Sequence, residues 1–122
     1  MKIVYSKFIS GASASRFKVK GDKKSVKNWR NNVIEQTKDG IGIINKECRM
    51  KVIFKFHSSR YPTDFPYGPD LDNHIKNLWD GLNETIFKNA PGHDSCVKIL
   101  HASKHKVEKE KEAGVKIEIS YI

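Results

Sequence analysis

The stretch PDLDNHIKNLWD, residues 69 to 80, sets Asp70, Asp72 and Asp80 around a single lysine, Lys76. Two acids two positions apart at a helix start offer hard oxygen ligands of the kind Mg²⁺ or Mn²⁺ takes, with room for water and a phosphate oxygen. On a helix, Asp72, Lys76 and Asp80 recur every four residues and line up along one side. A third acid, Asp94, follows in a short loop before a strand, where the chain turns back and is expected to approach the same end of the sheet. On a basic chain, three such carboxylates make sense if a divalent cation sits between them and a phosphodiester. A plainer reading uses the same residues: Asp70 or Asp72 caps the helix, and Lys76 pairs with Asp72 and Asp80 on its surface.

The charge around these acids is uneven. The 122 residues carry a net +9, yet residues 1 to 60 hold 15 Lys/Arg against 4 Asp/Glu, and residues 61 to 122 hold 8 against 10. A basic half of this size attracts polyanions, nucleic acid first, through phosphate neutralisation and counterion release. Ordinary solubilising charge is the alternative. Lys18, Lys20, Lys23, Lys24, Lys27 and Arg30 are the candidate backbone contacts. Lys23, Lys24, Lys27 and Arg30 surround the N-terminal half of an expected helix, where the helix dipole disfavours cations, and this points toward phosphate.

The elements that must position these groups are legible in the periodicity. IVYSKFI, residues 3 to 9, mixes β-branched and aromatic residues as a strand does, and a Ser- and Lys-rich loop follows. Val26, Trp29, Val33 and Ile34 predict a helix that starts at Asp22 or Ser25 and stops at Asp39-Gly40. Residues 48 to 57 alternate Met50, Val52, Phe54 and Phe56 with Arg49, Lys51 and Lys55, a strand with one buried face; Ile53 is the exception. SSRYPTDFPYGP, residues 58 to 69, is a Pro-rich surface loop whose Arg60, Tyr61, Phe65 and Tyr67 either stack on unpaired bases or pack on the domain. Leu71, Ile75, Leu78, Trp79, Leu82 and Ile86 fall within an arc of about 100° and predict a second helix over 71–87. CVKILHASKHKV and GVKIEISYI, joined by EKEKEAG, read as an antiparallel hairpin. The whole predicts one α+β domain over residues 1–122, a mixed sheet in β-α-β-α-β-β order with two helices packed on it.

Those residues also carry a family resemblance. Asp70-Leu71-Asp72-Asn73, then Lys76, Asp80 and Leu82, then Asp94, Val97 and Lys104, resemble the RusA family of Holliday junction resolvases over about 35 residues. The resemblance implies that Asp70, Asp72 and Asp94 bind Mg²⁺, with Mn²⁺ as a substitute, and are required for catalysis. It implies that Lys76 is an essential basic partner, and that the active species is a homodimer acting on branched DNA, the four-way junction above all, in recombination and repair. Lys76 would offset charge developing on the phosphate, Asn73 and Asp80 would orient the site, and Lys104 would contact DNA close to it. Two departures stand out: His93-Asp94 replaces two adjacent acids, and FISGASASRF lacks the family's Pro- and Asn-containing N-terminal motif. His93 is open to reading as a ligand, a proton shuttle or a loop residue.

No segment approaches the roughly 20 apolar residues of a membrane span, and the apolar run before Ala12-Ser13-Ala14 is too short for a signal peptide. Cys48 and Cys96 lack partners at zinc-ligand spacing and read as small buried thiols of a reduced, cytoplasmic protein. Two rival functions use the same residues: a non-catalytic nucleic-acid-binding protein, and a metal nuclease for other branched or duplex DNA.

Overall fold

The computed structural model describes residues 2–11, 23–58 and 71–122, with the side chains of residues 23–25 left aside. Its elements are β1 (Ile3–Ser10), α1 (Lys23–Thr37), β2 (Cys48–His57), α2 (Leu71–Leu82), β3 (Val97–Val107) and β4 (Gly114–Tyr121), with short 3-10 turns at Lys38–Gly40, His93–Cys96 and Glu110–Glu112. The α+β class and the β-α-β-α-β-β order are those the periodicity predicts. The four strands form one mixed sheet in the order β1-β4-β2-β3. Asp70, Lys18, Lys20 and the Pro-rich loop with Arg60 and its aromatics lie outside the described residues, as do the side chains of Lys23 and Lys24.

Alternation in β2 does what its pattern implies. Met50, Val52, Phe54 and Phe56 are buried under the helices, while Arg49, Lys51 and Lys55 point the other way. Ile53, out of step in composition, is in step in space: it sits half-buried on the sheet's other face. Val26, Trp29 and Val33 of α1 and Ile75, Leu78 and Leu82 of α2 close the core over Ile9, Val115, Ile117 and Ile119. Trp79 of α2 is half-buried and donates its indole N–H to Met50 Sδ at 3.3 Å, which fixes the helix's rotation over the sheet.

Two expectations are corrected. The last two strands do not form a hairpin: β4 lies antiparallel to both β1 and β2, and β3 runs parallel to β2 on its far side. The reason is hydrophobic. Val115, Ile117 and Ile119 are fully buried, which suits a strand paired along both edges, whereas β3, with its lysines and histidines, suits an edge. Alternation fixes a strand's faces, not its partner.

The second correction concerns α2, which stops at Leu82 instead of residue 87. Asn83 N–H makes the last bond to Trp79 at 2.8 Å; Glu84 and Thr85 then bond three residues back, to Gly81 and Leu82, and the chain turns. The carbonyls of Thr85 and Ile86 accept from the N–H groups of Gly42 and Ile44, and the buried hydroxyls of Thr85 and Thr37 meet at 2.7 Å. Ile86 and Phe87 are thus core residues delivered by a turn.

The two helices meet at Gly81. A Cβ there would lie 2.9 Å from Val33 Cγ1, 3.0 Å from Val33 Cβ and 3.3 Å from the Arg30 carbonyl. Gly81→Ala gains about 1 kcal/mol in helix propensity but must part the helices, at about 1–3 kcal/mol. The urea midpoint is expected to fall for Gly81→Ala and further for Gly81→Leu; an alanine variant more stable than the parent contradicts so close a crossing.

Candidate active site

The groove between α2 and β3 collects four of the site residues singled out by the sequence. It measures about 690 Å³, and Asp72, Lys76, Asp80 and Asp94 all line it, with Trp79 and Leu100 among its apolar walls. Asp72 stands exposed in the first turn of α2, where the helix dipole favours an acid, and accepts a hydrogen bond from Asn73 N–H at 2.9 Å. Lys76 is exposed one turn on, and Asp80 half-buried one turn beyond it.

The surface ladder of Lys76 with Asp72 and Asp80 does not form. Among the described residues no carboxylate comes within 4 Å of the Lys76 ammonium, and Asp80 pairs instead with Arg30 of α1, Nη2 to Oδ2, at 3.4 Å. Arg30, Asn73, Lys76, Asn77 and Asp80 enclose a second, polar cleft of about 140 Å³ on the other side of α2. Lys76 therefore borders both spaces. Lys27 is exposed one turn before Arg30, and Lys104 lies on the same face of β3 as Ala102, which lines the groove.

Asp94 arrives by a turn that needs unusual backbone. Gly92 and His93 both take left-handed conformations, φ +72° and φ +54°, and His93 N–H bonds to the Ala90 carbonyl. Histidine is among the few side chains that tolerate this region, which accounts for it at this position as a turn residue with an exposed ring. The turn delivers Asp94 to Asn83, the first residue past α2. Asn83 Nδ2 donates to Asp94 Oδ2 at 2.7 Å, and Asn83 Oδ1 accepts from the Asp94 backbone N–H at 3.0 Å. Asn83 was not singled out from the sequence. Its contact spans a turn of eleven residues, and no local spacing announces it.

That clamp locates Asp94 along the groove. Asn83 follows Asp72 by eleven residues, about 16 Å along the helix. Asp94 thus enters the groove from the end of α2 opposite Asp72, and both carboxylates line the same space. Among the described residues no three His, Cys, Asp or Glu side chains form a metal-holding group. Mg²⁺ commonly takes only one or two carboxylates and completes its shell with water and phosphate oxygens, so Asp72, with Asp70 two positions before it in the sequence, is a chemically fitting donor set.

Cys48 and Cys96 are both free and buried, with their sulfurs 3.9 Å apart. Burial, reinforced by the neighbouring Cys96, pushes the Cys48 thiol up to about 12, and burial raises Cys96 as well. Near neutral pH neither is a thiolate, so neither serves as a nucleophile.

The family model described as Endodeoxyribonuclease RusA matches residues 12–120. No curated protein matches the chain.

Replacing Asn83 tests the clamp. Asn83→Ala leaves the Asp94 carboxylate and backbone N–H without their partner, and a loss of about 1–3 kcal/mol is expected in chemical unfolding. Stability equal to the parent's contradicts the two bonds.

Proposed function

Because the chain belongs to the RusA endodeoxyribonuclease family, we propose that it cuts branched DNA, the four-way junction above all, by metal-assisted phosphodiester hydrolysis in the groove between α2 and β3. The observation that carries this reading is the position of Lys76, a cation on the groove with no described carboxylate to neutralise it, one turn from Asp72. Asp72, with Asp70 two residues before it, would hold Mg²⁺ or Mn²⁺. When bound, the ion polarises a phosphate oxygen and lowers the pKa of a coordinated water.

The chain's own residues supply the rest. Lys76 stabilises the charge that develops on the phosphate, in a groove whose apolar walls strengthen the interaction. Asn73 borders the polar cleft beside Lys76, and Asp80 holds Arg30, so both act through the cations they position. By the resemblance to that family, Asp94 would take part in the same reaction. Asp72 and Asp94, which line the same groove from opposite ends of α2, would act together on one phosphodiester. Lys27, Arg30 and Lys104, with Lys18, Lys20, Lys23 and Lys24, would hold the DNA backbone. Two coordinated cuts in a symmetrical junction require two sites related by a two-fold axis, which a homodimer supplies. Such cutting completes recombination and repair, and it suits a protein that works in the cytoplasm. No described helix is long and apolar enough to cross a membrane.

The test is cleavage of a labelled synthetic four-way junction. With Mg²⁺ or Mn²⁺ the protein is expected to introduce paired nicks, and excess linear duplex of equal length should compete poorly. Asp72→Asn and Lys76→Ala should each cut about 100-fold more slowly or worse, while junction binding stays within a few-fold of the parent. Salt-sensitive binding with no cutting at any divalent concentration would leave a binding protein, and cutting by Asp72→Asn at the parent rate removes the assigned site.

A further inference from the structure

The cleft between α1 and α2 has features that the groove's chemistry does not require. Its lining is polar, and it holds two cations, Arg30 and Lys76, against one carboxylate, Asp80. The guanidinium carries five donors, and Nη2 meets Asp80 at a long 3.4 Å. Arg30 Nε is buried and has no hydrogen-bond partner. A buried donor left unpaired is unfavourable, and an Arg fork with donors to spare matches the two free oxygens of a phosphodiester. At about 140 Å³ the cleft takes the volume of four or five water molecules, roughly what a phosphate group with some hydration needs.

Building on the nuclease reading, we propose that this cleft is a second phosphate subsite, which takes a non-scissile phosphodiester of the strand being cut. A strand that crosses α2 at Lys76 would place one phosphate in the groove and a flanking one in the cleft, with Lys76 between them. Arg30 receives the flanking phosphate with its unused donors, and Asp80 keeps the guanidinium turned into the cleft. The subsite sets which phosphodiester enters the groove, and so the position of the cut relative to the branch. It also gives a role to a cation of α1 that leans toward Asp80 of α2.

The experiment measures binding of uncut junction in Ca²⁺ and EDTA, so it does not depend on catalysis. Junctions carry a single neutral methylphosphonate, moved one phosphate at a time past the cut site. For the parent, one flanking position besides the scissile one is expected to weaken binding about 10-fold. Arg30→Gln should bind unmodified junction about 10-fold more weakly, with a salt slope smaller by about one, and should lose nothing further at that flanking position. The Arg30–Asp80 pair is about 40% exposed on both sides and contributes little to stability, so this variant should fold. Arg30→Lys, a compact charge without the fork, should recover the salt slope but only part of the affinity. An Arg30→Gln protein that still loses 10-fold at every position sensitive in the parent overturns the subsite and leaves the nuclease reading intact. A parent that fails to bind the junction in either buffer overturns both.

Discussion

Parallel pairing of β2 with β3 is the constraint from which the rest of the arrangement follows. Parallel neighbours cannot be joined by a tight turn, so the chain leaving β2 must cross back over the sheet, and α2 is that crossing. The helix therefore runs opposite to the two strands it connects. Its first turn carries Asp72, and its last turn ends at Leu82, just before Asn83. Asp94, three residues before β3, arrives at that last turn and is received by Asn83. Asp72 and Asp94 are thus brought to one groove from the two ends of the same helix.

Rotation of α2 about its own axis is fixed as firmly as its direction. Ile75, Leu78 and Leu82 are driven into the core, and each such burial is worth about 1.5–3 kcal/mol. Trp79 adds a polar anchor on Met50. With that face committed, Asp72, Lys76 and Asp80 are left along the helix's groove side, and Gly81 lets α1 come close enough for Arg30 to reach Asp80. The result is a division of charge: Asp80 is paired with Arg30, and Lys76 is left unneutralised between two open spaces, one mostly apolar and one polar. For a chain that must hold a polyanion near a cation-binding acid, an uncommitted ammonium at that junction is the functional asset.

What could be read in the sequence was whatever repeats at short range. The apolar arc of α2 and the alternation of β2 need only neighbours within one or two turns, and both reappear in the fold. Ile53 is an instance: its apparent misplacement meant only that the second face of the sheet is partly apolar too. Strand partnership was not legible, because GVKIEISYI alternates equally well beside β3 or between β1 and β2. The end of α2 was hidden by Ile86, which keeps helical spacing although its backbone pairs with residue 44. Asp72, Lys76, Asp80 and Asp94 could be picked out by type, and these four share a groove. Their spacing within it depended on a strand order that no local pattern encodes, and the same is true of Asn83 and of the pairing of Arg30 with Asp80.

The central claim is that the groove beside Lys76 is where a divalent ion and DNA meet, with Asp72 as a ligand. Anomalous diffraction from crystals of the protein with Mn²⁺ and a non-cleavable junction tests it most directly. One peak is expected in the groove about 2.0–2.3 Å from a carboxylate oxygen of Asp72, with a phosphate oxygen in the same coordination shell. A fully occupied Mn²⁺ that ignores Asp72, or DNA that leaves the groove empty, would contradict it.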